Sequence, residues 1–161
     1  MTSHALHHYP DSTELPRWLI VGAVAGAVSV LVFHQGALAL LNALELATRA
    51  PYAMAPTKPF GVPQVWSLVF WGGVWGALLA ASLGRLDGSR LLLAALLFGA
   101  LLPTLVAWFV VAPLKSQPIA GGGVPTAMAI GVLLNGVWGL GTGIGLALFG
   151  RAHTERRIRT R

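Results

Sequence analysis

The chain reads as an all-α, polytopic membrane protein: a four-helix transmembrane bundle built from two tandem helical hairpins in parallel repeat. Three observations carry that expectation. Apolar residues are 55% of the 161 and charged residues 10%, with a mean hydropathy of +0.71, against about 45–50% and about 25% in a soluble domain. Four apolar stretches approach or exceed the about 20 residues a helix needs to cross the hydrocarbon, and the segments between them are short. Finally, Gly61, Val62, Pro63 running into Gly73, Val74, Trp75, Gly76 is echoed by Gly123, Val124, Pro125 running into Gly136, Val137, Trp138, Gly139.

Residues 1–16 form a polar N-terminal segment. His4, His7 and His8 share a face if that stretch is helical, read as an incidental terminal cluster rather than a metal site. The apolar run that follows Arg17 is too long for a signal-peptide core, which makes it a retained anchor. Residues 17–150 are then one transmembrane domain with spans at 18–47, 63–83, 91–111 and 125–149, and 151–161 is a basic tail.

The first span carries Gly22 and Gly26 at the spacing that lets membrane helices approach closely. Beyond Phe33 come His34, Gln35, Asn42, Glu45 and Arg49, which fall on one arc of roughly 100° if the helix continues. At about 30 residues and about 45 Å such a helix outruns the hydrocarbon, so it must tilt, break near Gly36, or emerge. Pro51, Pro56 and Pro59 make the next loop extended or turned.

Pro63 suits the first position of the second span, whose small-residue face is Gly72, Gly76 and Ala80. Asp87 and Gly88 mark a tight turn. Pro103 kinks the third span, with Thr104 placed to help satisfy the freed carbonyl. Residues 112–123 repeat the proline and glycine loop. The fourth span sets Gly131, Asn135, Trp138 and Thr142 on one stripe, and pairs Gly139 with Gly143 and Gly141 with Gly145 at four-residue spacing. These glycines predict helix packing. They follow no strand and lack the lysine of a phosphate loop.

The echo extends through the loops. Ala50 and Pro51 match Ala112 and Pro113, and Pro56 matches Pro118, at the same offset as the Gly, Val, Pro triplets. The pattern predicts a duplicated hairpin whose copies keep one orientation, related by an axis along the membrane normal.

Arg17, Arg85, Arg90 and the tail residues Arg151, Arg156, Arg157, Arg159 and Arg161 lie on one side of a four-span topology. Arg49, Lys58 and Lys115 lie on the other, so the positive-inside rule puts both termini in the cytoplasm. The tail arginines serve topology and anionic lipid, not nucleic acid.

The absence of cysteine excludes thiol catalysis and thiolate metal sites. No carboxylate pair, Ser and His arrangement or metal-binding helix motif stands within the spans, so the expectation is no enzyme, no cofactor and no metal. The candidate intramembrane site or polar pathway is His34, Gln35, Asn42, Glu45 and Asn135, because strongly polar groups in a membrane survive when paired, hydrated or buried in protein. His34 could ligate haem, relay protons with Glu45, or pack while bonded to Asn135 or a carbonyl; the last asks least of the fold. Gly22, Gly26, Gly72, Gly76, Gly139 and Gly143 are the packing residues.

Phe33, His34, Gln35, Gly36, followed by Pro59, Phe60, Gly61, Val62, Pro63, resembles a family of small uncharacterised four-span inner-membrane proteins of proteobacteria. The resemblance covers Pro16 to Gly150 and implies the bacterial inner membrane. The expected role is an accessory or assembly component of a membrane complex, its partners being the lipid bilayer and other membrane subunits or further copies of itself. The alternative is a small transporter or channel with a polar path between hairpins or protomers.

Overall fold

A computed structural model describes the backbone of residues 14–159 and the side chains of residues 17–149. Among the described residues four helices are long and apolar enough to cross a membrane: span 1 (Arg17–Ala43), span 2 (Gln64–Leu83), span 3 (Gly88–Leu114) and span 4 (Pro125–Phe149). The chain is an all-α integral membrane bundle. His4, His7 and His8 lie outside the described residues.

Span 1 does not break at Gly36. It runs as an α-helix over Glu14–Ser29, passes through a π turn at Val30–His34, and resumes over Gln35–Ala43. The π turn has a packing cause. Ser29 and Val30 are buried, and so are His34 and Gln35, five residues further on. In a regular α-helix that spacing rotates side chains by about 140°; one wider turn brings both pairs to the same inner face.

The helix stops at Ala43, four residues earlier than expected. Glu45 adopts a left-handed backbone (φ 58). Its N–H bonds to the Asn42 carbonyl at 3.0 Å and that of Leu46 to the Leu41 carbonyl at 2.9 Å, the two reverse bonds of a Schellman ending. Span 3 ends the same way, with Ser116 left-handed (φ 54) and Gln117 reaching back to Ala112 at 2.8 Å.

Span 2 starts at Gln64, one residue after Pro63, which keeps an extended backbone (ψ 140). Helix starts leave N–H groups without partners; here the Ala55 and Ala53 carbonyls accept from Gln64 (3.0 Å) and Val65 (3.1 Å). The proline-rich segment between spans 1 and 2 supplies them, just ahead of a short hairpin that pairs Pro56–Thr57 with Val62–Pro63. Span 3 is longer than expected at both ends, since Gly88 already belongs to it and Pro113 lies in its last turn. A second π turn occupies Ala107–Val111. Ala120 through Gly123 all have positive φ, a short left-handed turn that three consecutive glycines make accessible. The helix of span 4 continues to Arg159, so the described part of the basic segment is helical.

In lateral order the helices run 2, 1, 4, 3, with spans 2 and 3 touching only sparingly. Glycine dictates this order. Gly22 and Gly26 meet Gly72, Gly76 and Ala80 so closely that a methyl group on Gly76 would run into the Gly22 carbonyl. Span 4 has two glycine faces, because residues two apart point about 200° apart. Gly139 and Gly143 pack on Ala95 and Gly99 of span 3, while Gly141 and Gly145 pack on Phe33, Ser29 and Ala25 of span 1. Span 4 is therefore the central helix, wedged between spans 1 and 3.

The two hairpins share one packing geometry. Gly76 against Gly22 and Gly26 is matched by Gly139 against Ala95 and Gly99, and Ala80 against Gly22 by Gly143 against Ala95. Gly61 and Gly123, ahead of the two descending helices, both have positive φ. The loop prolines do not correspond: Pro51 sits in a turn and Pro113 in a helix.

Candidate functional site

The polar residues of the sequence stripe separate into three groups. The first gathers at the end of the bundle that carries the long loops. After the Schellman ending the chain turns back along span 1, held by the Asn42 amide, which donates to the carbonyls of Ala47 (2.9 Å) and Arg49 (3.3 Å). Tyr52 then lands beside the π turn with its backbone in the left-handed region (φ 52). Its N–H donates to Gln35 Oε1 at 2.7 Å, and its hydroxyl donates to the Leu31 carbonyl at 2.8 Å.

Both bonds answer needs created by the helix. In the π turn the Gln35 N–H bonds to the Val30 carbonyl, five residues back. Returning to four-residue bonding passes over the next carbonyl, that of Leu31. An unbonded carbonyl is costly in a membrane, and Tyr52 supplies the donor. Gln35 is 1% exposed, and its amide lies 3.4 Å from His34 Nδ1. The expected bond from His34 to Asn135 is not made.

The antiparallel register of the first hairpin fixes the height of this group. Trp18 Nε1 donates to the Ala80 carbonyl at 3.0 Å, and Gly22 and Gly26 face Gly76 and Gly72. Continuing two turns along each helix sets His34 level with Gln64, where span 2 begins. Trp18 and His34 are thus about 24 Å apart along the axis, and span 1 continues past His34 to Ala43.

The second group lies deeper, where spans 1, 2 and 4 meet. Trp138 Nε1 donates to the Gly26 carbonyl at 2.9 Å, and its ring lies beside Gly72. The Trp138 carbonyl accepts from Ser29 Oγ (2.6 Å) and Thr142 Oγ1 (2.9 Å). The third group is the bond from Asn135 Nδ2 to Thr104 Oγ1 at 2.9 Å. Asn135 therefore bonds to span 3 and Trp138 to span 1, which divides the stripe expected on span 4. Thr104 accepts from that amide across the helix interface, a role the sequence did not suggest.

Glu45 is exposed on the turn after the helix. Its four-residue spacing to Arg49 no longer places both on one helical face, and no ion pair joins them. Two participants escaped sequence reasoning. Tyr52 sits in a loop whose return path the sequence does not reveal, and Ser29 reads as one more small residue in an apolar run. No protein-family model, no curated protein and no solved structure matches the chain.

Proposed function

We propose that the chain is a non-enzymatic accessory or assembly subunit of a membrane complex, a four-helix element of the bacterial inner membrane with both termini in the cytoplasm. The observation that carries this reading is what the buried polar side chains do. Ser29 and Trp138 bond spans 1 and 4 together, Asn135 and Thr104 bond spans 3 and 4, Thr142 bonds back within span 4, and Gln35 holds the return segment. Each of these bonds is made within the protein. A transport path between the hairpins would need polar groups facing a lumen, whereas this interface is filled by Phe33 over Gly141 and Ala25 over Gly145.

The shared packing geometry of the hairpins supports descent from one hairpin that dimerised before its duplication. Native mass spectrometry of the protein released from its own membrane tests the functional reading. Co-purifying foreign subunits support it. A bare monomer or a clean homo-oligomer, together with a proteoliposome flux abolished by His34→Ala, replaces it with the transport reading.

A further inference from the structure

We propose that the seam between spans 2 and 3 is the docking groove for one membrane-spanning helix of a partner subunit, a helix that brings a glycine, alanine or serine to Trp75. This site gives the accessory reading a place on the molecule and rests on that reading. The two hairpins share one packing geometry: Gly76 meets Gly22 and Gly26 as Gly139 meets Ala95 and Gly99. Span 1 therefore corresponds to span 3, and span 2 to span 4, residue for residue. All four stretches are regular α-helix there, so the correspondence runs on along them. Trp75 precedes Gly76 as Trp138 precedes Gly139, and Phe98 follows Ala95 by three residues as Ala25 follows Gly22.

The seam of spans 1 and 4 thus has its counterpart in the seam of spans 3 and 2. The first is closed. Ala25 lies over Gly145 and Ser29 over Gly141, Ser29 is 2% exposed, and Trp138 Nε1 donates across the seam to the Gly26 carbonyl at 2.9 Å. The second carries large residues at the same positions: Phe98 for Ala25, Leu102 for Ser29, Leu78 for Gly141. It stays open. Leu78 is 48% and Leu102 45% exposed. Trp75 meets Phe98 edge-on with ring centroids 6.1 Å apart, and further along, the turn of span 3 at Ala107–Val111 does not reach span 2.

Trp75 shows what the groove lacks. Its indole N–H has no hydrogen-bond acceptor among the described residues, and it is not sealed in, because every fully buried side-chain nitrogen or oxygen among them has a partner. Trp75 stands eleven residues after Gln64 and eight before Leu83 in span 2, hence about 16 Å and about 12 Å from its ends. At that depth neither water nor a headgroup answers an N–H, an acyl chain carries no acceptor, and a donor left unmet is costly. In the closed seam the acceptor is a helix carbonyl bared by a glycine. A partner helix with a small residue at the crossing supplies the same oxygen and the same close approach, and its flanks cover Leu78 and Leu102.

The test is photocrosslinking of the full chain in its native membrane, with p-benzoylphenylalanine placed singly at Leu78, at Leu102 and, as an equally exposed control on span 1, at Val28 (51%). Leu78 and Leu102 should both capture one foreign subunit, at a membrane-spanning segment that carries a small residue, and Val28 should not. Trp75→Phe keeps a ring and removes the donor, so it should lower the yield about fivefold, the worth of one hydrogen bond. Leu102→Trp fills the groove and should abolish capture from Leu78; Leu102 is exposed, so this variant keeps the test valid if Trp75→Phe fails to fold. Co-purifying subunits that neither position reaches, equal capture from Val28, adducts only with lipid or with a second copy, or a yield unchanged in either variant overturn the docking groove and leave the accessory reading standing. Purified protein that carries no foreign subunit overturns that reading, and the groove's partner with it.

Discussion

The Tyr52 hydroxyl donates at 2.8 Å to the carbonyl of Leu31, the carbonyl that the π turn of span 1 passes over. A loop side chain thus completes a helix irregularity. Tyr52→Phe keeps the ring and removes only the donor, so it should destabilise the protein by about 1 kcal/mol. The loss will read as a lower thermal unfolding midpoint in detergent. An unchanged midpoint would mean that the Leu31 carbonyl finds another donor.

Gly76 and Gly36 make opposite predictions for one substitution. A methyl group at Gly76 meets the backbone of Gly22 and Gly26, whereas at Gly36 nothing lies within 4 Å. Gly76→Ala should cost about 1–3 kcal/mol by overpacking, and Gly36→Ala should gain about 0.5–1 kcal/mol from helix propensity. Gly139→Ala should behave like Gly76→Ala, because it meets Ala95 and Gly99 in the same manner. Thermal unfolding of the three variants side by side checks both signs.

Trp138→Phe removes the donor to Gly26 (2.9 Å) while filling most of the same space. Expected is a loss of about 1 kcal/mol, the net worth of one hydrogen bond. Cysteine pairs, one residue on span 1 and one on span 4 of this cysteine-free chain, should then cross-link more weakly across that interface.

Glu45 occupies the left-handed position of a helix ending that glycine normally fills. Glu45→Gly should raise stability by about 1 kcal/mol. The accessory reading expects its complexes to survive the change, and pull-down of co-purifying subunits measures that. A path that uses the Glu45 carboxylate would lose its flux.

The helices and their small-residue faces were legible because they rest on local patterns, apolar length for the spans and four-residue glycine spacing for the faces, but which faces meet was not. Gly141 and Gly145, offset by two from Gly139 and Gly143, already encode a helix with two partners. The irregular parts were hidden because they answer to distant residues. The π turn exists so that Ser29 can meet the Trp138 carbonyl while His34 stays buried, and no window of sequence holds both requirements. The end of span 1 at Ala43 was missed because a glutamate stands where a glycine would have signalled it. The polar set divided because its expected arc assumed an unbroken α-helix through Arg49, and because the faces of span 4 are set by spans 1 and 3.

The central place of span 4 bears on how the molecule is made. The ribosome releases spans 1 and 2 first, and their glycine faces let them pair at once as a finished hairpin. Span 3 then enters the bilayer with a narrow contact to span 2, Trp75 against Phe98 and Leu79 and Ala80 beside Leu91 and Ala95. Only span 4, synthesised after the other three, joins the halves, so a chain truncated before it leaves span 3 without its main packing partner.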